Sequence, residues 1–127
     1  MNPNSQTPGP LNAVSLDREP RIYAPIPSRG NYAVADVHVN DWDQQNPIIS
    51  RDQAEANARL LAASYTCLDK AGRALGVDAA ELAESLDLAA LIQAAREVIG
   101  ELDHDTLGAG TSARVLKLDG LLARLPH

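Results

Sequence analysis

Seven of the eight prolines in this chain lie at or before Pro47, and the next is Pro126. A proline inside a helix removes a backbone donor and clashes with the preceding turn, at a cost of about 3 kcal/mol. Long helices are thereby excluded from the first part of the sequence and permitted after Pro47. The chain has to change architecture near that residue.

The segment "MNPNSQTPGP" has no apolar periodicity, and residues 1–20 read as an extended or disordered tail. "RIYAPI" then alternates Ile22, Ala24 and Ile26 on one side, and "YAVADVHVN" places Ala33, Ala35, Val37 and Val39 opposite Asp36 and His38. With "PSRGN" as a five-residue loop between them, residues 21–47 are expected to form a β-hairpin. Pro25 and Pro27 lack ladder donors, which makes the first strand an edge strand or merely extended.

After Pro47 the period changes from two to three and four. Ser50 with Gln53 is a capping-box pattern, and Gly76 supplies a left-handed stop. Between them Ala54, Ala58, Leu61, Tyr65, Leu68, Gly72 and Leu75 form one stripe. Asp78 with Glu81 starts a short helix, and Asp87 caps a helix whose Leu88, Leu91, Ile92, Ala95, Val98, Ile99 and Leu102 fit the amphipathic template. Thr111 or Ser112 is expected to cap a last helix carrying Val115, Leu118, Leu122 and Leu125. The expected fold is α+β, mainly α. Its N-terminal β-hairpin packs on an antiparallel helical bundle of three main helices (residues 48–127), in one compact domain.

With no Phe, one Trp and three Tyr, the core has to be built from Leu and Ala. No window approaches the ~18 consecutive apolar residues of a membrane span, and the first residues lack the basic start and apolar stretch of a signal peptide, so no membrane association and a cytoplasmic location are expected. Cys67 is the only cysteine and lies in a helical pattern, which reads as a buried structural thiol.

"TPGP" at Thr7 to Pro10, followed after two short strands by "EANARLLAAS" at Glu55 to Ser64, resembles a group of small phage and prophage accessory proteins. Members of that group look like "TPGPW", a small β section, then "ANARLIAAAPELLEAL". Leu11 stands where the group's tryptophan is usual, and "SYTCL" replaces its alanine-proline-glutamate-leucine section. The resemblance implies a phage-related origin, hence a bacterial host cell, and a two-part architecture. It implies no catalytic residues, the group being mostly of unassigned function.

The residues themselves hold no Walker glycine-lysine loop, no glycine-flanked nucleophilic serine and no paired-histidine metalloprotease motif, so neither enzymatic activity nor a cofactor is expected. Asp36, His38, Asp41 and Asp43 are close-spaced metal-ligating types, yet the outer face of a strand is polar in any case, and no metal is expected. The charge distribution says more. From Asp78 to Asp105 eight acids stand against one base, a formal −7 in a chain of net −6. Such a segment repels phosphates, which argues against direct nucleic-acid binding, and attracts a basic protein surface. Glu81, Glu84, Glu97, Glu101, Asp103 and Asp105 are its candidate contact residues, although acids near helix starts also suit the helix dipole without any partner. The small residues of the first helix would let another helix approach, making Arg59, Leu61, Tyr65 and Arg73 a candidate ligand site or homodimer seam.

The expectation is a small phage-type accessory protein that binds a host protein, for example a defence factor, and inhibits or redirects it through the acidic helical surface. The rivals are a dimer that sequesters a small ligand between protomers and a phage structural or assembly factor.

Overall fold

The computed structural model describes residues 6–15 and 19–126. It is α+β and mainly α: strands β1 (Asn12–Val14), β2 (Arg21–Ile26) and β3 (Gly30–Asp36) precede helices α1 (Arg51–Leu75), α2 (Ala79–Ser85), α3 (Leu88–Glu101) and α4 (Ala109–Ala123). A single 3-10 turn, His104–Thr106, separates the last two helices.

The sheet is antiparallel in the order β1-β2-β3, so the hairpin has an additional strand from the segment read as a tail. β2 is consequently central rather than an edge. Its proline is tolerated because β1 pairs only with Arg21, Ile22 and Tyr23, leaving one side of β2 open at Pro25. The loop is also shorter than expected: Pro27, Ser28 and Arg29 join Ile26 to Gly30. The Arg29 amide donates to the Ile26 carbonyl at 3.0 Å and Ser28 has φ +66°. Proline followed by a left-handed residue is the combination a type II turn requires.

Register decides which apolar residues of the hairpin are buried. Ile22 pairs with Ala35 and Tyr23 with Ala33, leaving Val34 as a bulge that breaks the alternation of β3. All seven β3 residues are exposed, so Ala33 and Ala35 do not form the buried face their spacing predicts. Ile22 and Ala24 of β2 are buried instead, against Leu11 and Ala62, with Val37 and Tyr65 packed alongside.

Helix α1 is capped as its sequence requires. Ser50 Oγ accepts from the Gln53 amide at 3.1 Å and Gln53 Oε1 accepts from the Ser50 amide at 2.8 Å, while Gly76 closes the helix at φ +69°. Its buried residues, Ala54, Ala58, Ala62, Asp69 and Gly72, are nearly all small, which lets the sheet and the N-terminal segment approach the helix axis. Leu61 and Leu75, placed on the apolar stripe by spacing, are exposed, and so is Cys67, which is not the buried thiol expected. Asp87 Oδ1 accepts from the Ala90 amide at 3.0 Å to start α3. Helix α4 starts before Thr111 and Ser112, with Gly108 at its cap and no side-chain hydrogen bond there.

The chain divides into two compact units, Met1–Ser85 and Leu86–His127. The change from strand to helix falls between Asp36 and Arg51, where the prolines place it. Helices α1 and α2 belong with the sheet, and α3 and α4 pack on each other. The small buried face of α1 is taken up by the sheet and by the chain that precedes it. No described helix is long and apolar enough to cross a membrane.

Candidate functional site: a carboxylate clasp and an exposed acidic segment

The most elaborate polar arrangement in the first unit centres on Asp69, a position that sequence reasoning did not select. It is 4% exposed on the buried face of α1. Asp69 Oδ2 accepts from the Gly9 amide at 2.8 Å and Oδ1 from Gln6 Nε2 at 2.9 Å. Arg73 Nε, one turn along the same helix, donates to both oxygens at 3.1 and 3.2 Å. Burial pushes the Asp69 carboxyl up, but the hydrogen bonds from Gly9, Arg73 and Gln6 and the charge of Arg73 outweigh it and leave the group below the usual carboxylate range.

Two neighbours extend the clasp. Tyr65 donates its hydroxyl to the Thr7 carbonyl at 2.6 Å, and Thr66 Oγ1 accepts from the Leu11 amide at 2.8 Å while donating to the Ala62 carbonyl at 2.8 Å. Burial, then the Asp69 charge, holds the Tyr65 hydroxyl above its ordinary value, so it remains a donor through neutral pH. Gly9 approaches α1 closely: a Cβ there would lie 3.3 Å from Asp69 Oδ2 and 3.5 Å from Thr66 Cα. Residues 6–11, expected to be a free extended or disordered segment, are thus extended but fastened to α1. Of the rest of that expected tail, residues 12–14 form β1, and residues 1–5 and 16–18 lie outside the described residues.

Two members of the expected seam belong to the clasp. Tyr65 bonds the chain's own N-terminal segment, and Arg73 bonds the Asp69 carboxylate that holds it. Arg59 is exposed and borders a shallow hollow of about 350 Å³ between β1 and α1, together with Ser15, Glu55 and Ala58. Leu61 is exposed. A smaller hollow of about 200 Å³ lies beside the clasp, lined by Leu68, Ala79, Ala80 and Ala83 as well as Gln6, Tyr65 and Asp69. An anionic, fully bonded carboxylate beside apolar alanines can anchor a segment of backbone, and at neutral pH it is a poor proton acceptor.

Comparison with family models, with curated proteins and with solved structures finds no match to this chain. Function has to be argued from the geometry alone.

The six carboxylates selected from the charge pattern are all exposed. Glu81 and Glu84 lie on α2, in the first unit. Glu97 and Glu101 lie on α3, and Asp103 and Asp105 on the link to α4, in the second. Glu97 Oε1 accepts from Gln93 Nε2 at 3.0 Å, and Asp103 Oδ1 accepts from the Asp105 amide at 3.1 Å. Among the described residues none of the six is in a salt bridge. The strand residues are engaged differently: Asp36 pairs with Arg21, and His38 Nδ1 lies 2.7 Å from Glu19 Oε2. The described residues hold no group of three metal-ligating side chains.

The missed residues had one legible signal. Asp69 sits four residues after Tyr65 and three before Gly72, an acid on the small-residue stripe of α1. A carboxylate at such a position demands donors, and the glycine and the amide-bearing side chain of the "QTPGP" segment are those it receives.

Proposed function

We propose that this protein is a small, non-catalytic accessory protein that acts by binding another protein, with the acidic helical segment as its contact surface and a basic surface on the partner. The contrast between its polar groups supports this reading. The buried Asp69 is fully engaged in holding the chain's own fold, whereas six carboxylates between Glu81 and Asp105 are exposed and in no salt bridge among the described residues. Exposed charge of one sign steers an oppositely charged partner and is inexpensive to desolvate at a rim. The resemblance to phage accessory proteins makes a host protein, such as a defence factor, the natural partner, and inhibition or redirection the natural consequence, within the bacterial cytoplasm.

Immobilised full-length protein should retain a partner from bacterial lysate at low salt and release it at high salt. Glu81→Lys with Glu84→Lys, both on the surface of the first unit, should weaken binding of the purified partner at least about tenfold and flatten its salt dependence. Equal affinity for the variant and the original chain at both salt concentrations would leave these acids as ordinary solvated helix residues. A second reading, an assembly factor, draws on the exposed leucines of α3 and α4 and would be favoured by large regular oligomers of the purified protein.

A further inference from the structure

The two most exposed large apolar side chains among the described residues, Trp42 (84%) and Ile48 (69%), lie on one loop, residues 40–49. Isolated exposed apolar residues are ordinary. Trp42 differs in being the chain's one tryptophan, in a sequence with no phenylalanine and a core made largely of alanines, to which it contributes nothing. The loop that carries it is held at its base and at its turn. The Asn40 amide donates to the Ile49 carbonyl at 2.7 Å, and the Asn40 carbonyl accepts from the Ile48 and Ile49 amides, each at 3.0 Å. The Asn46 amide donates to the Asp43 carbonyl at 3.1 Å, and the Gln45 amide to Asp43 Oδ1 at 3.2 Å. An aromatic side chain with few torsions, on a loop closed by its own backbone, loses little freedom when another group stacks on it.

The residues on either side of Trp42 decide what that group is. Asp41 and Asp43 are half-buried, and neither carboxylate is in a salt bridge among the described residues. We propose that this loop is a recognition element for an arginine side chain of a partner protein, the guanidinium stacking on the Trp42 indole and donating to Asp41 or Asp43. An indole attracts a cation to its ring face, and an adjacent carboxylate supplies the opposite charge and an acceptor. Arginine meets both at once, because its guanidinium is planar, weakly hydrated and forked, whereas the compact ammonium of lysine holds its water and does not stack. A membrane interface is the other common setting for an exposed tryptophan, but the cytoplasmic leaflet is anionic and two flanking carboxylates are repelled by it.

The inference rests on the partner-binding reading for the partner's being a protein, and it names the side chain recognised, at an element apart from the acids of α2 and α3. The single tryptophan makes its test local. Octa-arginine titrated into the full chain should change the Trp42 emission saturably, whereas octa-citrulline, of nearly the same shape but uncharged, should not. With labelled octa-arginine followed by anisotropy, Trp42→Leu should weaken binding about two- to fivefold, and Asp41→Asn with Asp43→Asn about threefold or more. Both variants should keep native helicity, since none of the three side chains belongs to the core. Octa-lysine should bind the original chain more weakly than octa-arginine. Glu81→Lys with Glu84→Lys should leave the saturating Trp42 response unchanged, so that failure of this inference and failure of the helical contact surface are told apart. Octa-arginine that fails to bind, that binds without altering the Trp42 emission, or that binds Trp42→Leu as tightly as the original chain overturns the inference. So does an equal emission change with phosphatidylglycerol vesicles, which would assign the loop to a lipid surface.

Discussion

The Gly9 amide donates a 2.8 Å hydrogen bond to Asp69 Oδ2 across 60 positions of sequence. This bond ties a proline-bracketed segment, which would otherwise be free, to the C-terminal third of the longest helix. It makes the N-terminal segment part of the packing of the first unit. Its partners on the helix, Tyr65, Thr66 and Asp69, lie within five residues of one another and bond Thr7, Leu11 and Gly9.

Asp69→Ala should destabilise the first unit by about 2–4 kcal/mol, because it leaves the Gly9 amide without its acceptor and frees Arg73 of its partner. Asp69→Asn keeps the shape and one acceptor oxygen but sets an NH2 donor against the donors of the other, and should cost somewhat less than the alanine change. Urea unfolding monitored by circular dichroism measures both. A loss under 0.5 kcal/mol for the alanine variant, on the scale of ordinary surface substitutions, would mean the clasp contributes nothing net.

Removal of residues 1–10 should lower the melting temperature by about 10 °C or more, since a buried carboxylate and the Tyr65 hydroxyl both lose their partners. An unchanged melting temperature would show the segment to be undocked in solution.

Gly9→Ala should cost about 1 kcal/mol or less, because the added methyl group is in ordinary contact with the Thr66 backbone and asks only the Asp69 side chain to shift by a few tenths of an ångström, lengthening its bond to the Gly9 amide. Equal unfolding midpoints for the two proteins would place Gly9 farther from α1 than described.

The folded-state pKa of Asp69 is depressed, so the stability it contributes is present above the unfolded carboxylate value of about 3.9 and is lost as pH falls through the lower folded value. Unfolding midpoints measured between pH 7 and 3 should fall more steeply in the original chain than in Asp69→Asn once pH drops below about 4. Parallel profiles would remove Asp69 as the source of the acid sensitivity.

Cys67 lies on the exposed side of α1. It should react with an aromatic disulfide reagent in the native protein within a factor of about ten of its rate in denaturant. Protection of a hundredfold or more would restore the buried thiol that spacing alone suggests.

Much of this architecture was determined locally and could be read from the chain. Helix α1 begins and ends where Ser50, Gln53 and Gly76 require, α3 begins at Asp87, and the prolines confine the strands to the first part. These features depend on contacts within a few residues, which sequence spacing encodes directly. What spacing could not decide was which face of each element would be covered, and by what. Both faces of β3 were left uncovered, and β1 formed because Asn12–Val14 found a partner in β2 rather than from any signal of its own. Asp69 and Gly9 became a pair only when the chain folded back over 60 positions. The exposure of the α3 stripe was set in the same way. An amphipathic period states that a face is to be buried, but the identity of the covering surface is a long-range choice made by tertiary packing or by a second chain.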